Sequence, residues 1–205
     1  DDFGILEVGM DKKGEIDYLS KIIKPDIGVI TNINYAHAKN FKNIKQIALA
    51  KSEIINHIKS NGYLILNADD SFFGLHKKIA LKKNIKVISF SIKNQKSDIK
   101  LINISKIKKK YLIKIRLYNK EKNFFLSNNF RNNVYNVLCA LAVISICKDI
   151  FKLNKNTFLN FKTPGGRGDT SVIKINNKKI NLIDESYNSN PLSLRSAIIN
   201  YDKIQ

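Results

Sequence analysis

The sequence predicts an α/β protein: a doubly wound, mostly parallel sheet with an antiparallel β excursion, followed by the start of a second α/β domain. Three observations predict it. Across residues 3–90, short apolar runs alternate with helix-period segments over connections of a few residues, the pattern of parallel strands with crossover helices. Between 98 and 127, apolar and polar residues alternate with a period of two on either side of Lys108, Lys109 and Lys110 and again around Asn119 and Asn123, which predicts an antiparallel meander. The Gly-rich run Thr163-Pro164-Gly165-Gly166-Arg167-Gly168 then punctuates the chain and divides it into 1–163 and 164–205.

Residues 3–8 are apolar up to Glu7 and predict a buried strand. From Gly14, Ile16, Leu19, Ile22 and Ile23 recur at helical spacing, and Lys24-Pro25 stops that helix before the next strand at 27–30. Asn43 is placed to cap a second helix whose Ile44, Ile47, Ile54, Ile55 and Ile58 share a face, ending near Asn61-Gly62. A strand at 63–66, a helix at 71–83 and a strand at 85–90 follow. Beyond the meander, Val134, Val137, Leu138, Leu141 and Ile144 predict a helix over 133–150, and 157–162 a short one. After the Gly-rich run, apolar stretches at 172–175 and 180–183 flank Asn176-Asn177, residues that tolerate the left-handed backbone of a tight hairpin. Asn190-Pro191 opens a further helix, with Pro at its first position.

Composition narrows the function classes. The chain has 205 residues and carries 36 Lys plus Arg against 17 Asp plus Glu, a net charge of +19. Such a field attracts polyanions. Yet only four of the basic residues, Arg116, Arg131, Arg167 and Arg195, are arginine, the residue that reads bases and phosphates bidentately. Lys, Asn and Ile are abundant in every segment, so the excess is a property of the composition, and no nucleic-acid partner is expected. The longest apolar stretch, 137–147, is about half of the roughly 20 residues needed to span a bilayer, so no membrane partner is expected either. Cys139 and Cys147 fall in one helical segment and read as reduced core thiols, which with no signal peptide in view predicts a cytoplasmic protein. Asp1 in place of an initiator Met, and Gln205 inside a helical run, give both ends the look of cut ends, so a fragment is expected.

In an open parallel sheet, ligands bind beyond the carboxyl ends of the strands. Glu7, Thr31-Asn32 with His37, and Asn67-Ala68-Asp69-Asp70 all fall at such ends. A carboxylate and an imidazole there could share a divalent cation with phosphate oxygens, since Mg²⁺ takes few protein ligands. Equally, Glu7 could cap a loop and His37 lie on the surface. His57 and His76, in Lys-rich helical segments, are expected to face solvent. Lys51 lies among Ile47, Ile54 and Ile55 and could either snorkel or bury an amine that must be neutralised or modified.

These residues carry a resemblance. The runs Glu7-Val8-Gly9-Met10, Gly14-Glu15-Ile16, Ile30-Thr31-Asn32-Ile33, Ala36-His37, Ala50-Lys51-Ser52-Glu53-Ile54 and Leu66-Asn67-Ala68-Asp69 resemble, in order, the central ATP-binding domain of the Mur ligase family. Asn133-Val134-Tyr135-Asn136, Gly166-Arg167-Gly168 and Asp184-Glu185-Ser186-Tyr187-Asn188-Ser189-Asn190-Pro191 resemble the branch that adds D-alanyl-D-alanine to UDP-N-acetylmuramoyl-tripeptide.

The resemblance implies an ATP-dependent, carbon–nitrogen bond-forming ligase of peptidoglycan precursor synthesis working through an acyl phosphate; a monomer is expected. It implies that Glu7, His37 and Lys51, the last as a carbamate, hold Mg²⁺, with Lys51 and His37 at the catalytic centre. It further implies that Asn133 and Asn136 contact the adenine, that Arg167 and Glu185 contact the nucleotide, and that Tyr187, Asn188 and Asn190 belong to the D-alanyl-D-alanine side. Phe130 and Asn132 stand where the family often has Gly and His, and Glu185 where many members have Asp. No G-K-[ST] phosphate loop occurs, so the isolated polypeptide is expected to be inactive. Two rivals remain: another Mur or folylpolyglutamate-type ligase, and a Lys-rich nucleic-acid-binding module.

Overall fold

A computed structural model describes residues 2–34, 40–161, 165–176, 178–187 and 191–201. The chain divides into two compact units, Asp1–Phe158 and Leu159–Gln205. The first is built on a six-stranded sheet of β1 (Ile27–Ile30), β2 (Tyr63–Asn67), β3 (Lys86–Ser91), β4 (Ile99–Ile107), β5 (Lys110–Leu117) and β6 (Lys120–Leu126), in that spatial order. β1, β2 and β3 are parallel neighbours, β3 meets β4 in parallel through only two residue pairs, and β4, β5 and β6 form the expected antiparallel meander. Helices α1 (Glu15–Ile23), α2 (Ile44–Lys51), α3 (Phe73–Lys82) and α4 (Arg131–Cys147) complete the unit.

Alternation along β2 explains the double winding. Leu64 and Leu66 pack with Ile47, Ile55, Ile16 and Ala80 from one layer of helices, while Ile65 joins Val134, Val137, Leu138 and Leu141 of α4 on the opposite face. Both faces are thereby covered, as a parallel sheet requires. The meander adds Ile113, Ile115, Phe124 and Leu126 to the α4 layer, where Phe124 meets Phe158 edge to face at 5.4 Å.

Local chemistry sets the helix ends. The Asn43 side chain accepts from Gln46 N–H at 3.0 Å, the cap its position predicts. The helix it starts is shorter than expected. After Lys51 it tightens into a 3₁₀ segment, Ser52–His57, where Ser52 donates its hydroxyl to the Leu49 carbonyl. That segment presents Glu53, which accepts from Gly14 N–H and Asp17 N–H and caps α1 from a distance.

Three expectations are corrected. Residues 2–9 form no strand: among the described residues the run has no ladder partner, and Phe3 and Ile5 are exposed. An apolar run becomes a strand only when a neighbour takes up its backbone hydrogen bonds. Residues 155–160 form turns rather than a short helix. His76 does not face solvent; it is 2% exposed, with Nε2 at 3.0 Å from the Ala48 carbonyl, because a polar ring that finds a carbonyl can pack between helices.

In the second unit, β7 (Asp169–Ile175) and β8 (Lys178–Asp184) form the expected hairpin, with Asn176 at a φ of 48°. Helix α5 spans Pro191–Tyr201. No helix among the described residues is long and apolar enough to cross a membrane.

Gly62 shows how tightly the β2 entry is packed. A Cβ there would lie 2.6 Å from the Asp26 carbonyl oxygen, 2.6 Å from Ile58 Cγ2 and 2.8 Å from the Lys59 carbonyl oxygen. Gly62→Ala should therefore destabilise the protein by about 2 kcal/mol in urea unfolding. Gly74→Ala, on an open face of α3 with nothing within 4 Å, should stabilise it by about 0.5 kcal/mol.

Candidate nucleotide site

At the carboxyl ends of β1, β2 and β3 lies a cavity of about 180 Å³. Thr31 and Asn32 line it after β1, Asn67, Asp69 and Asp70 at β2, and Phe90 from β3; Asn132, Tyr135, Asn136 and Cys139 close it from α4. This is the crevice expected of an open α/β sheet.

Two adjacent carboxylates organise its floor. Asp70 accepts from Ile33 N–H and Phe72 N–H, both at 2.8 Å, tying the β1 exit to the α3 start. Asp69 accepts from Ile92, Lys93 and Asn94 N–H at 2.7, 3.0 and 2.8 Å and from the Tyr135 hydroxyl at 2.8 Å. Burial pushes the Asp69 carboxyl upward, but those donors outweigh it and hold the group below the ordinary carboxylate value. The Asn67 side chain accepts from Asp69 N–H at 3.0 Å, which shapes the turn.

Lys51 approaches the same end of the sheet. Its Nζ donates to the Asn32 carbonyl at 3.3 Å, and burial lowers its pKa against the upward pull of Asp70. The amine is therefore partly desolvated rather than extended into water. His76 braces the helix that carries it through the Ala48 carbonyl.

The other expected site residues divide. Asn136 lines the cavity. Asn133 is buried instead, donates to Asn128 Oδ1 at 3.2 Å, and leaves its own Oδ1 with no hydrogen-bond partner among the described residues. Glu7 is exposed on the 2–9 segment. His37, Asn188 and Asn190 lie outside the described residues. Among the described residues, no group of three or more His, Cys, Asp or Glu could hold a metal ion. Within the second unit, Arg167 stacks on the Tyr187 ring at 4.3 Å. Gly168 N–H donates to the Asp184 carbonyl, and a Cβ on Gly168 would lie 3.5 Å from Glu185 Oε1, so Arg167, Glu185 and Tyr187 gather at one turn.

Asp69 lies in the strand-end turn that the sequence singles out, whereas Tyr135 enters only as part of the Asn133-Val134-Tyr135-Asn136 run and is given no role there, although a signal for it exists. Asn132, Tyr135, Asn136 and Cys139 recur at the spacing of one helix face. Cys139 and Cys147 are free thiols, but Cys147 is exposed at the end of α4 rather than in the core; burial raises Cys139 to about 12, so it enters the cavity as a small apolar wall.

His76 gives a pH dependence with a definite sign. Burial is the main cause holding its pKa below the ordinary 6.5, helped by Lys51 and opposed by the Ala48 carbonyl and Asp70. Above 6.5 the ring is neutral whether the chain is folded or not, and stability is unaffected. Below 6.5 the unfolded chain gains its proton first, so stability should fall until the folded value is passed. Urea unfolding between pH 7 and 5 should show this slope in the wild type, and His76→Gln should flatten it.

Comparison with known proteins agrees with this architecture. The family model described as "Mur ligase middle domain" matches residues 1–144. UDP-N-acetylmuramoyl-tripeptide–D-alanyl-D-alanine ligase of Buchnera aphidicola from Acyrthosiphon pisum is 35% identical, covering 96% of this chain and 42% of that protein. The Bacillus subtilis protein of the same name is 30% identical, covering 96% and 40%. The chain thus spans less than half the length of these relatives. A crystal structure of MurF from Acinetobacter baumannii superposes with a TM-score of 0.80 at 28% identity, covering 95% of this chain and 41% of that one. A MurF ligase from Thermotoga maritima in complex with ADP shares the fold, with a TM-score of 0.73 at 23% identity over 95% of this chain and 43% of that one. With its family model matched over most of its length and its relatives at 30–35% identity, the chain belongs to the Mur ligase family.

Proposed function

We propose that this chain supplies the ATP-binding middle, residues 1–163, and the start of the C-terminal domain, 164–205, of a monomeric cytoplasmic ligase that adds D-alanyl-D-alanine to UDP-N-acetylmuramoyl-tripeptide. The observation that carries the reading is the cavity where β1, β2 and β3 end, with Asn136 in its wall and the Lys51 amine bonded to Asn32 beside it. The names of the relatives from Buchnera and Bacillus support the choice of substrates.

The reaction has to bring a carboxylate against a polyanion. The tripeptide carboxylate attacks the γ-phosphorus of ATP and ADP leaves; the amine of D-alanyl-D-alanine then attacks the resulting acyl phosphate and expels phosphate. Charge neutralisation is the main physical requirement. The donor set fits a magnesium ion that keeps most of its ligands as water and phosphate oxygens. Glu7, His37 and a carbamylated Lys51 would hold it, and it would supply positive charge to the phosphates. A carbamate forms when CO₂ adds to the neutral amine and a proton is lost, and burial, which lowers the Lys51 pKa against the pull of Asp70, favours that neutral form. Asn136, in the cavity wall, offers an amide group suited to the donor–acceptor edge of adenine, and Asn133, buried one turn earlier on α4, is the second amide of the adenine end. Arg167 and Glu185 contact the nucleotide, and Tyr187, Asn188 and Asn190 the dipeptide.

The test uses the full-length protein with ATP, UDP-N-acetylmuramoyl-tripeptide and D-alanyl-D-alanine. ADP release dependent on the dipeptide is the expected result. Faster turnover with a free amino acid would favour another ligase of the superfamily, and tight, steeply salt-dependent DNA or RNA binding without turnover would favour the nucleic-acid reading. Lys51→Ala should lower kcat by about a hundredfold or more, with Glu7→Ala and His37→Ala also losing ligation.

A further inference from the structure

One wall of the cavity depends on a single hydroxyl. The connection between β3 and β4 turns back sharply, and its first three amides, those of Ile92, Lys93 and Asn94, converge on Asp69. The fourth donor to that carboxylate is Tyr135 from α4. Tyr135 itself accepts from Arg131 Nη2 at 3.2 Å, one turn earlier, and the guanidinium lies 5.5 Å from its ring centre. Asp69 and Tyr135 both line the cavity.

Apolar packing of α4 on Ile65 and Phe90 is non-directional and allows small sliding. A hydrogen bond to a carboxylate is directional and stronger than a neutral one. Here both partners are themselves held: Asp69 by three backbone amides, Tyr135 by its ring contacts and Arg131. The proton stays on the phenol across neutral pH, because burial and Asp69 raise its pKa against the pull of Arg131.

We propose that Tyr135 is a positioning residue for the nucleotide: by donating to Asp69 it sets the separation between α4 and the β2 exit, and hence the width of the cavity that receives the nucleoside part of ATP. The inference rests on the nucleotide reading above and adds to it the residue that holds the pocket to size. It also gives the β3–β4 connection a role, since the carboxylate that orders that loop is the one α4 leans on.

The test compares wild type, Tyr135→Phe, Asp69→Asn and the double variant of the full-length protein. Tyr135→Phe keeps the ring and the three loop amides, so KM for ATP should rise about tenfold while kcat stays within about twofold. The double variant should be no worse than Asp69→Asn alone, because the hydroxyl acts through that carboxylate. In the same proteins without ATP, exchange of the Ile92, Lys93 and Asn94 amides should quicken by about tenfold in Tyr135→Phe. An unchanged KM, a fall in kcat at constant KM, additive effects in the double variant or unchanged exchange would each overturn the proposal. Wild-type protein without ATP turnover would instead overturn the nucleotide reading, leaving the exchange rates alone to decide whether the Tyr135 contact orders the loop.

Discussion

The carboxyl end of a parallel sheet is a place where backbone donors from several loops converge with no strand to receive them, and buried donors must be satisfied. Here two neighbouring carboxylates do that work. Asp70 gathers the exits of β1 and β2 to the start of α3, and Asp69 gathers the β3–β4 loop and α4. The cavity is the space left between these attachments. Its walls combine these hydrogen-bonded turns with the apolar surfaces of Phe90 and Cys139.

The electrostatics of that end contrast with those of the surface. Lys51 is drawn toward Asn32 and Asp70 in a partly desolvated position, where its charge is costly. Many other lysines lie over aromatic rings: Lys110 and Lys155 both over Phe125, Lys86 over Tyr63 and Lys120 over Phe151. Glu121 pairs with both Lys114 and Arg116. These contacts spread the positive charge over side chains already engaged with rings and carboxylates on the surface of the first unit.

Much of the fold was legible because periodicity reports burial. The alternation of strand and helix, the meander, the Asn43 cap and the turn at Asn176 all rest on local rules that tertiary structure did not override. The failures are equally physical. Residues 2–9 have the composition of a strand but, among the described residues, no strand beside them, and His76 looks polar yet fits between helices because one carbonyl is in reach. At the site, strand ends pointed to Thr31, Asn32 and the Asn67–Asp70 turn, while resemblance pointed to Lys51 and Asn136. The pairing of Tyr135 with Asp69 joins residues 66 positions apart and had no local signature.

The proposed function requires the cavity between β1, β2, β3 and α4 to receive the nucleoside part of ATP. A crystal structure of the full-length protein with a non-hydrolysable ATP analogue tests it directly. Adenine or ribose density against Tyr135 and Asn136, with Asp69 still bonded to the three loop amides, is the predicted result. A nucleotide bound elsewhere, with this cavity filled by water, would contradict it.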